Sequence, residues 1–134
     1  MKKGRQISDY MTTELMTLLP DTGIVHAVSF LLEKNISGAP VVDANGQLVG
    51  VLSMKDCLKA ALNASYYQDW GGAVSDYMSY PVETLEADLD IVETAEHLLS
   101  SHFRRFPVQR DGHLVGQISR ADVLKALVDN WSYQ

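Results

Sequence analysis

The sequence predicts an α/β (α+β) protein made of two tandem repeats of β-α-β-β-α type, related by a pseudo-twofold axis. Three observations lead there. The chain matches itself at a nearly constant offset, each half alternates helical three-and-four spacing with short β-rich pieces, and Gly-containing turns separate those pieces in pairs. The self-match is direct: Ile7-Ser8-Asp9-Tyr10-Met11-Thr12 returns 67 residues later as Val74-Ser75-Asp76-Tyr77-Met78-Ser79, and Ala39-Pro40-Val41 returns as Phe106-Pro107-Val108. Beyond that point the offset falls to 66, so that Leu48-Val49-Gly50 matches Leu114-Val115-Gly116 and Ser53…Asp56 matches Ser119…Asp122. The lost residue falls between Asp43-Ala44-Asn45-Gly46 and Arg110-Asp111-Gly112, in a turn, where a deletion costs least.

Each element follows in order. Short extended pieces, Thr17-Leu18-Leu19 and Val82-Glu83-Thr84-Leu85, open the units. Ile24, Val25, Val28, Leu31 and Leu32, and likewise Ile91, Ala95, Leu98 and Leu99, place an apolar face on a first helix. Asn45-Gly46 and Asp111-Gly112 tolerate positive φ and predict hairpins between Pro40-Val41-Val42 and Leu48–Leu52, and between Pro107-Val108 and Leu114–Ile118. A second helix starts at Ser53 or Ser119 and runs through good helix formers. A unit of this size buries too little surface to be stable alone, so the repeats, residues 1–66 and 67–134, are expected to form one compact pair, sheet against sheet, with two equivalent clefts. Asn63 to Ala73, with Tyr66, Tyr67 and Trp70, reads as the connector, its aromatics serving inter-repeat packing or a dimer surface.

Composition narrows the function. At 46% hydrophobic and 21% charged the chain is neither disordered nor fibrous. No apolar run is long enough to span a bilayer, and Met1-Lys2-Lys3-Gly4-Arg5-Gln6 lacks the apolar stretch of a signal peptide. The net charge of −6, with no basic cluster, argues against a nucleic-acid partner. A single cysteine, Cys57, expected as a small core residue, suits a reducing cytoplasmic location. His26, His97, His102 and His113 show no metal-ligand spacing, and neither a phosphate-cradling Gly loop nor a nucleophile-base pairing is present, so no catalytic activity, catalytic cofactor or metal is expected.

The run Gly38-Ala39-Pro40-Val41-Val42-Asp43 through Ser53-Met54-Lys55-Asp56, repeated as Arg105-Phe106-Pro107-Val108 through Ser119-Arg120-Ala121-Asp122, resembles the CBS (cystathionine-beta-synthase) domain. Asp9-Tyr10-Met11-Thr12 and Asp76-Tyr77-Met78-Ser79 look like that family's leader segments, and the likeness covers residues 7 to 128. Gln109-Arg110 departs from the usual Val-Asp, in a turn. The resemblance implies a Bateman module, commonly a homodimer. Its inter-repeat clefts would bind an adenine nucleotide (AMP, ADP, ATP) or S-adenosylmethionine as a regulatory ligand and signal to an effector protein. It implies ribose and phosphate contacts at Ser53 and Asp56 and at Ser119 and Asp122. Pocket positions would be Ile36, Ser37, Gly38, Ala39 and Pro40 in one copy and Phe103, Arg104, Arg105, Phe106 and Pro107 in the other, with leader contacts from Thr17-Leu18 and Val82-Glu83. Against Ser37, Gly38 and Lys55 in the first copy, Arg104, Arg105 and Arg120 lead us to expect the second cleft to take the more highly charged ligand.

The chemistry is consistent with that reading, since a carboxylate accepts from two adjacent hydroxyls and a helix N-terminus favours a phosphate. Ser-x-x-Asp is equally close to a capping box, and capping and binding are compatible. A ligand-independent dimerisation or protein-interaction module stays open as the alternative.

Overall fold

The computed structural model describes residues 5–131. The leading basic residues Met1 to Gly4, where the absence of a secretion signal was expected, lie outside them. The chain folds into two compact units. One is Met16–Val82; the other joins the leading segment that ends at Leu15 to the chain from Glu83 onward. The units therefore do not coincide with a division at residue 66, because each leader completes the fold of the other sequence repeat.

In the unit Met16–Val82, α1 (Ile24–Lys34) is followed by the antiparallel strands β1 (Gly38–Val42) and β2 (Leu48–Ser53), then by α2 (Met54–Tyr67) and the short α3 (Val74–Tyr77). Leu18 bridges in parallel to Val41. In the other unit, β3 (Leu85–Glu86) pairs in parallel with β4 (Arg105–Arg110), α4 (Ile91–Ser100) lies between them in sequence, and β4 pairs antiparallel with β5 (His113–Ser119) before α5 (Arg120–Trp131). A 3-10 turn at Ile7–Asp9 opens this unit, as α3 closes the first.

The cores follow from strand alternation and one stripe per helix. Ile24, Ala27 and Leu31 of α1 meet Ala39, Val41 and Leu52 of the hairpin and Cys57 and Ala60 of α2. Ile91 and Leu98 of α4 meet Phe106, Val108 and Ile118 and then Val123 and Ala126 of α5. Full burial of a Val, Leu, Ile or Phe side chain contributes about 1.5–3 kcal/mol, which makes these strand residues the main apolar support of each unit. The helix faces are rotated from the expected ones. Val25 and Leu32 on α1 and Leu99 on α4 are exposed, Leu99 at 86%, while Ala27 and Thr94 are buried. One helical turn presents two apolar edges in these sequences, and the edge facing the hairpin includes the small residue or the threonine, whose Oγ1 donates to the Asp90 carbonyl at 2.9 Å.

The two hairpin turns differ as their lengths do. Asp111 and Gly112 both adopt positive φ (54° and 81°), whereas in the longer turn only Gly46 does (81°), with Asp43 Oδ1 accepting from the amides of Asn45 and Gln47. At the end of α2 the helix outruns expectation, continuing to Tyr67 before Gln68 stops it in the left-handed region at φ 54°. Tyr66 and Tyr67 on this extension are exposed.

Each leader is seated on a strand glycine. Thr12 exchanges both backbone hydrogen bonds with Gln117 (2.9 and 2.9 Å), and Ser79 does so with Val51 (2.9 and 3.1 Å). Next to these pairs, Met11 lies over Gly116 and Met78 over Gly50. A Cβ on Gly50 would fall 2.5 Å from the Met78 sulfur, and one on Gly116 would fall 2.5 Å from the Met11 sulfur and 2.9 Å from the Thr12 carbonyl oxygen. The leader turns are held alike, Asp9 Oδ2 accepting from the Gln6 amide at 3.0 Å and Asp76 Oδ2 from the Ala73 amide at 2.8 Å.

Two outcomes are expected. Gly116→Ala should lower stability in urea denaturation by about 1–3 kcal/mol, and Gly50→Ala by less, because Met78 can turn aside while the Thr12 backbone cannot. Cys57, 4% exposed on α2, has its thiol pushed above the ordinary range by burial and, secondarily, by the neighbouring Asp56 carboxylate. A thiol raised in the folded state favours folding while protonated. That contribution should be intact below the ordinary thiol range and fade as pH rises through it. Labelling by a disulfide reagent at mildly alkaline pH should be at least about tenfold slower in native than in urea-unfolded protein.

Candidate functional site

The residues singled out at each hairpin's exit converge where the last helix begins. β2 runs directly into α2 and β5 into α5, so Ser53 and Ser119 sit at the junctions as the residues before the first helical turn. Ser53 Oγ accepts from the Asp56 amide at 3.2 Å, while Asp56 Oδ2 accepts from the Ser53 amide and hydroxyl, both at 2.9 Å. The second unit repeats this closely: Asp122 Oδ2 accepts from the Ser119 amide at 2.9 Å and its hydroxyl at 3.0 Å, and Ser119 Oγ accepts from the Asp122 amide at 3.3 Å. Capping is thus a role both pairs perform, satisfying amides that a helix start leaves without partners.

The remaining oxygens differ. Ser79, carried on the leader, donates its hydroxyl to both oxygens of Asp56 at 3.4 Å, and Asp56 is only 5% exposed. Asp122 is half-buried, and its Oδ1 has no hydrogen-bond partner among the described residues. Thr12, which occupies the leader position equivalent to Ser79, pairs with Gln117 through its backbone, and its side chain makes no hydrogen bond to Asp122. Ser79 was absent from the expected site because no local pattern links it to Asp56, 23 residues away; its membership in the repeated leader was the available signal.

The expected pocket positions divide. Met54 donates its amide to the Ser37 carbonyl at 2.9 Å, and Arg120 donates to the Arg104 carbonyl at 3.2 Å, so residues 37 and 104 do lie beside the helix starts. The structural counterpart of Arg120 is Met54 rather than Lys55. Gly38 faces Ser53 and Arg105 faces Ser119 across their hairpins. Arg104, Arg105 and Arg120 are all exposed, as is Lys55. Ala39, Pro40 and Phe106 are buried, and Ala39 and Phe106 belong to the cores; any ligand contact there falls to the backbone. Pro107 and Ile36 are half-buried, and exposed Phe103 packs edge-on against Phe106 with ring centroids 5.7 Å apart.

Among the opening pieces, Leu18 is buried against β1 and Thr17 is exposed beside it. The equivalent of Leu18 is Leu85 on β3, not Val82, which ends the first unit, nor Glu83, which opens the chain's return to the second. Tyr80 and Pro81 lie between Val82 and the bridge that Ser79 makes with Val51.

Known proteins share this architecture. The family model for the CBS domain matches residues 7–63 and 74–129. The crystal structure of CBSX2 from Arabidopsis thaliana in complex with AMP is 32% identical, with a TM-score of 0.81 over 96% of this chain and 99% of that one. The uncharacterized protein MJ1225 of Methanocaldococcus jannaschii is 28% identical over 127 residues, 95% of this chain but 44% of its own length, so the chain spans less than half of that relative. The CBS domain pair of MJ0100, solved with 5′-methylthioadenosine and S-adenosyl-L-methionine, shares the fold at 22% identity and a TM-score of 0.73 over 93% of this chain and 97% of that one. With both repeats matched by one family model and nearly the whole chain superposing on a solved pair, this protein belongs to the CBS domain family as a tandem pair.

Proposed function

We propose that the chain is a regulatory ligand-sensing module that binds an adenosyl ligand, either an adenine nucleotide (AMP, ADP or ATP) or S-adenosylmethionine, and catalyses nothing itself. One observation carries the reading: a hydroxyl and a carboxylate held together at the N-terminus of the last helix in each repeat, in a chain 32% identical to a protein solved with AMP. The cap consumes Oδ2 of Asp122 and leaves Oδ1 to accept from a ribose hydroxyl in a charge-assisted bond. Arg104, Arg105 and Arg120 flank the same helix start, where the first unit has Ser37, Gly38 and Met54, so the second repeat suits the more highly charged ligand. The ligand would act by population shift, favouring the conformation it binds more tightly, and an effector protein would respond to that conformation. The buried free thiol of Cys57 fits a cytoplasmic setting.

Homodimerisation belongs to the same proposal, and a protein-interaction role without ligand is its competitor. Both rest on leucines that the cores leave outside. Leu58 and Leu62 on α2 are exposed, and their counterparts Leu124 and Val128 on α5 are exposed likewise. An apolar row repeated on equivalent helices is a surface that a second copy can match.

AMP at 100 times its Kd should stabilise the protein by about 2.7 kcal/mol, visible as a raised melting temperature; absence of any shift with AMP, ATP and S-adenosylmethionine would favour the interaction module. Replacing Leu58 and Leu124 together by Glu should convert a dimer to a monomer in light scattering coupled to gel filtration, with the far-UV circular dichroism of the fold retained because both side chains are exposed on the single chain. A wild-type monomer at micromolar concentration would remove the dimer from the proposal.

A further inference from the structure

We infer that Ser79 silences the carboxylate of the first repeat, so that the protein takes up one adenosyl ligand per chain, at Asp122. The inference rests on the ligand-binding reading above and adds which of two similar sites is competent and which residue decides it. The two Ser-x-x-Asp caps are nearly superimposable in hydrogen-bond pattern, so the caps themselves do not discriminate. Discrimination comes from the leaders. Ser79 is held opposite Val51 by two backbone hydrogen bonds, and that fixed backbone delivers its hydroxyl to both Asp56 oxygens at 3.4 Å. Thr12 is held opposite Gln117 by the same pair of backbone bonds, but its hydroxyl makes no hydrogen bond to Asp122.

Burial points the same way independently. A ribose diol needs a carboxylate oxygen that faces outward and accepts in line. Asp56 is 5% exposed and has its own cap and the Ser79 hydroxyl as donors, so a sugar has to displace a protein hydroxyl to reach it. Asp122 is half-buried with Oδ1 unoccupied among the described residues, and binding there displaces only water. The exposed guanidinium groups of Arg104, Arg105 and Arg120 lie in the second repeat's sequence around that cap, and the first repeat lacks arginine at the matching positions.

The test is isothermal titration of the full chain with AMP. Wild type should bind one AMP per chain, and Asp122→Ala should weaken binding by about tenfold or more, the loss expected for a charge-assisted contact. Ser79→Ala leaves the leader's backbone pairing with Val51 in place; made in the Asp122→Ala background it should tighten AMP binding relative to Asp122→Ala alone, by freeing Asp56. Two AMP per wild-type chain would overturn the inference, and so would AMP binding left unchanged by Asp122→Ala, or no gain on adding Ser79→Ala; each of these leaves the ligand-sensing reading standing. A chain that takes up neither AMP, ATP nor S-adenosylmethionine overturns that reading, and this inference with it. Because the stoichiometry is read on the wild-type chain, the result does not depend on any variant folding.

Discussion

Everything in this fold depends on the close approach of a leader to a strand at a glycine. At Gly50 and Gly116 a side chain on the strand would occupy the space that Met78 and Met11 fill, so the methionine substitutes for the missing side chain and the leader backbone reaches bonding distance of the strand beyond. The partner of each glycine is the leader from the other sequence repeat. That exchange moves the boundary of the compact units away from the boundary of the repeats. It also fixes what stands beside each helix start, since the residue after the methionine pair is Ser79 in one unit and Thr12 in the other.

Under the proposed function, the Ser-x-x-Asp cap lets stability and recognition share one group. A carboxylate at a helix start is favourable for the exposed amides and for the helix dipole, and it needs only one of its oxygens to do so. What happens to the other oxygen is set by burial. A charged group left with an unmet acceptor in a dry site is costly, and Asp56, almost fully buried, has a hydroxyl on hand. Asp122 sits where solvent can serve Oδ1, so no protein donor is required.

The helices carry a second message in the residues their cores leave out. Small residues, Ala27, Ala60 and Ala126, are among those the helices bury in the cores, while Leu58, Leu62, Leu124 and Val128 face outward. An apolar face divided in this way serves the interior and an outer surface at once. Periodicity therefore located the helices, but it could not say which of two adjacent apolar edges faces in: Leu99 and Ala95 are equally good by spacing, and only the position of the hairpin separates them.

The sequence by itself determined the duplication, the order of helices and strands, the turns at Gly46 and Gly112, the caps at Ser53 and Ser119, and the family. Those features are local, written in spacing and in the conformational preferences of Gly, Ser and Asp over a few residues. Tertiary structure alone decided that Leu18 pairs with Val41 and Leu85 with Val108, that Phe106 belongs to a core, that each leader serves the opposite repeat, and that Ser79 engages Asp56. These are pairings between segments 20 or more residues apart, and no local preference encodes them; they follow from which strand leaves a glycine-sized gap and which side chain is delivered into it.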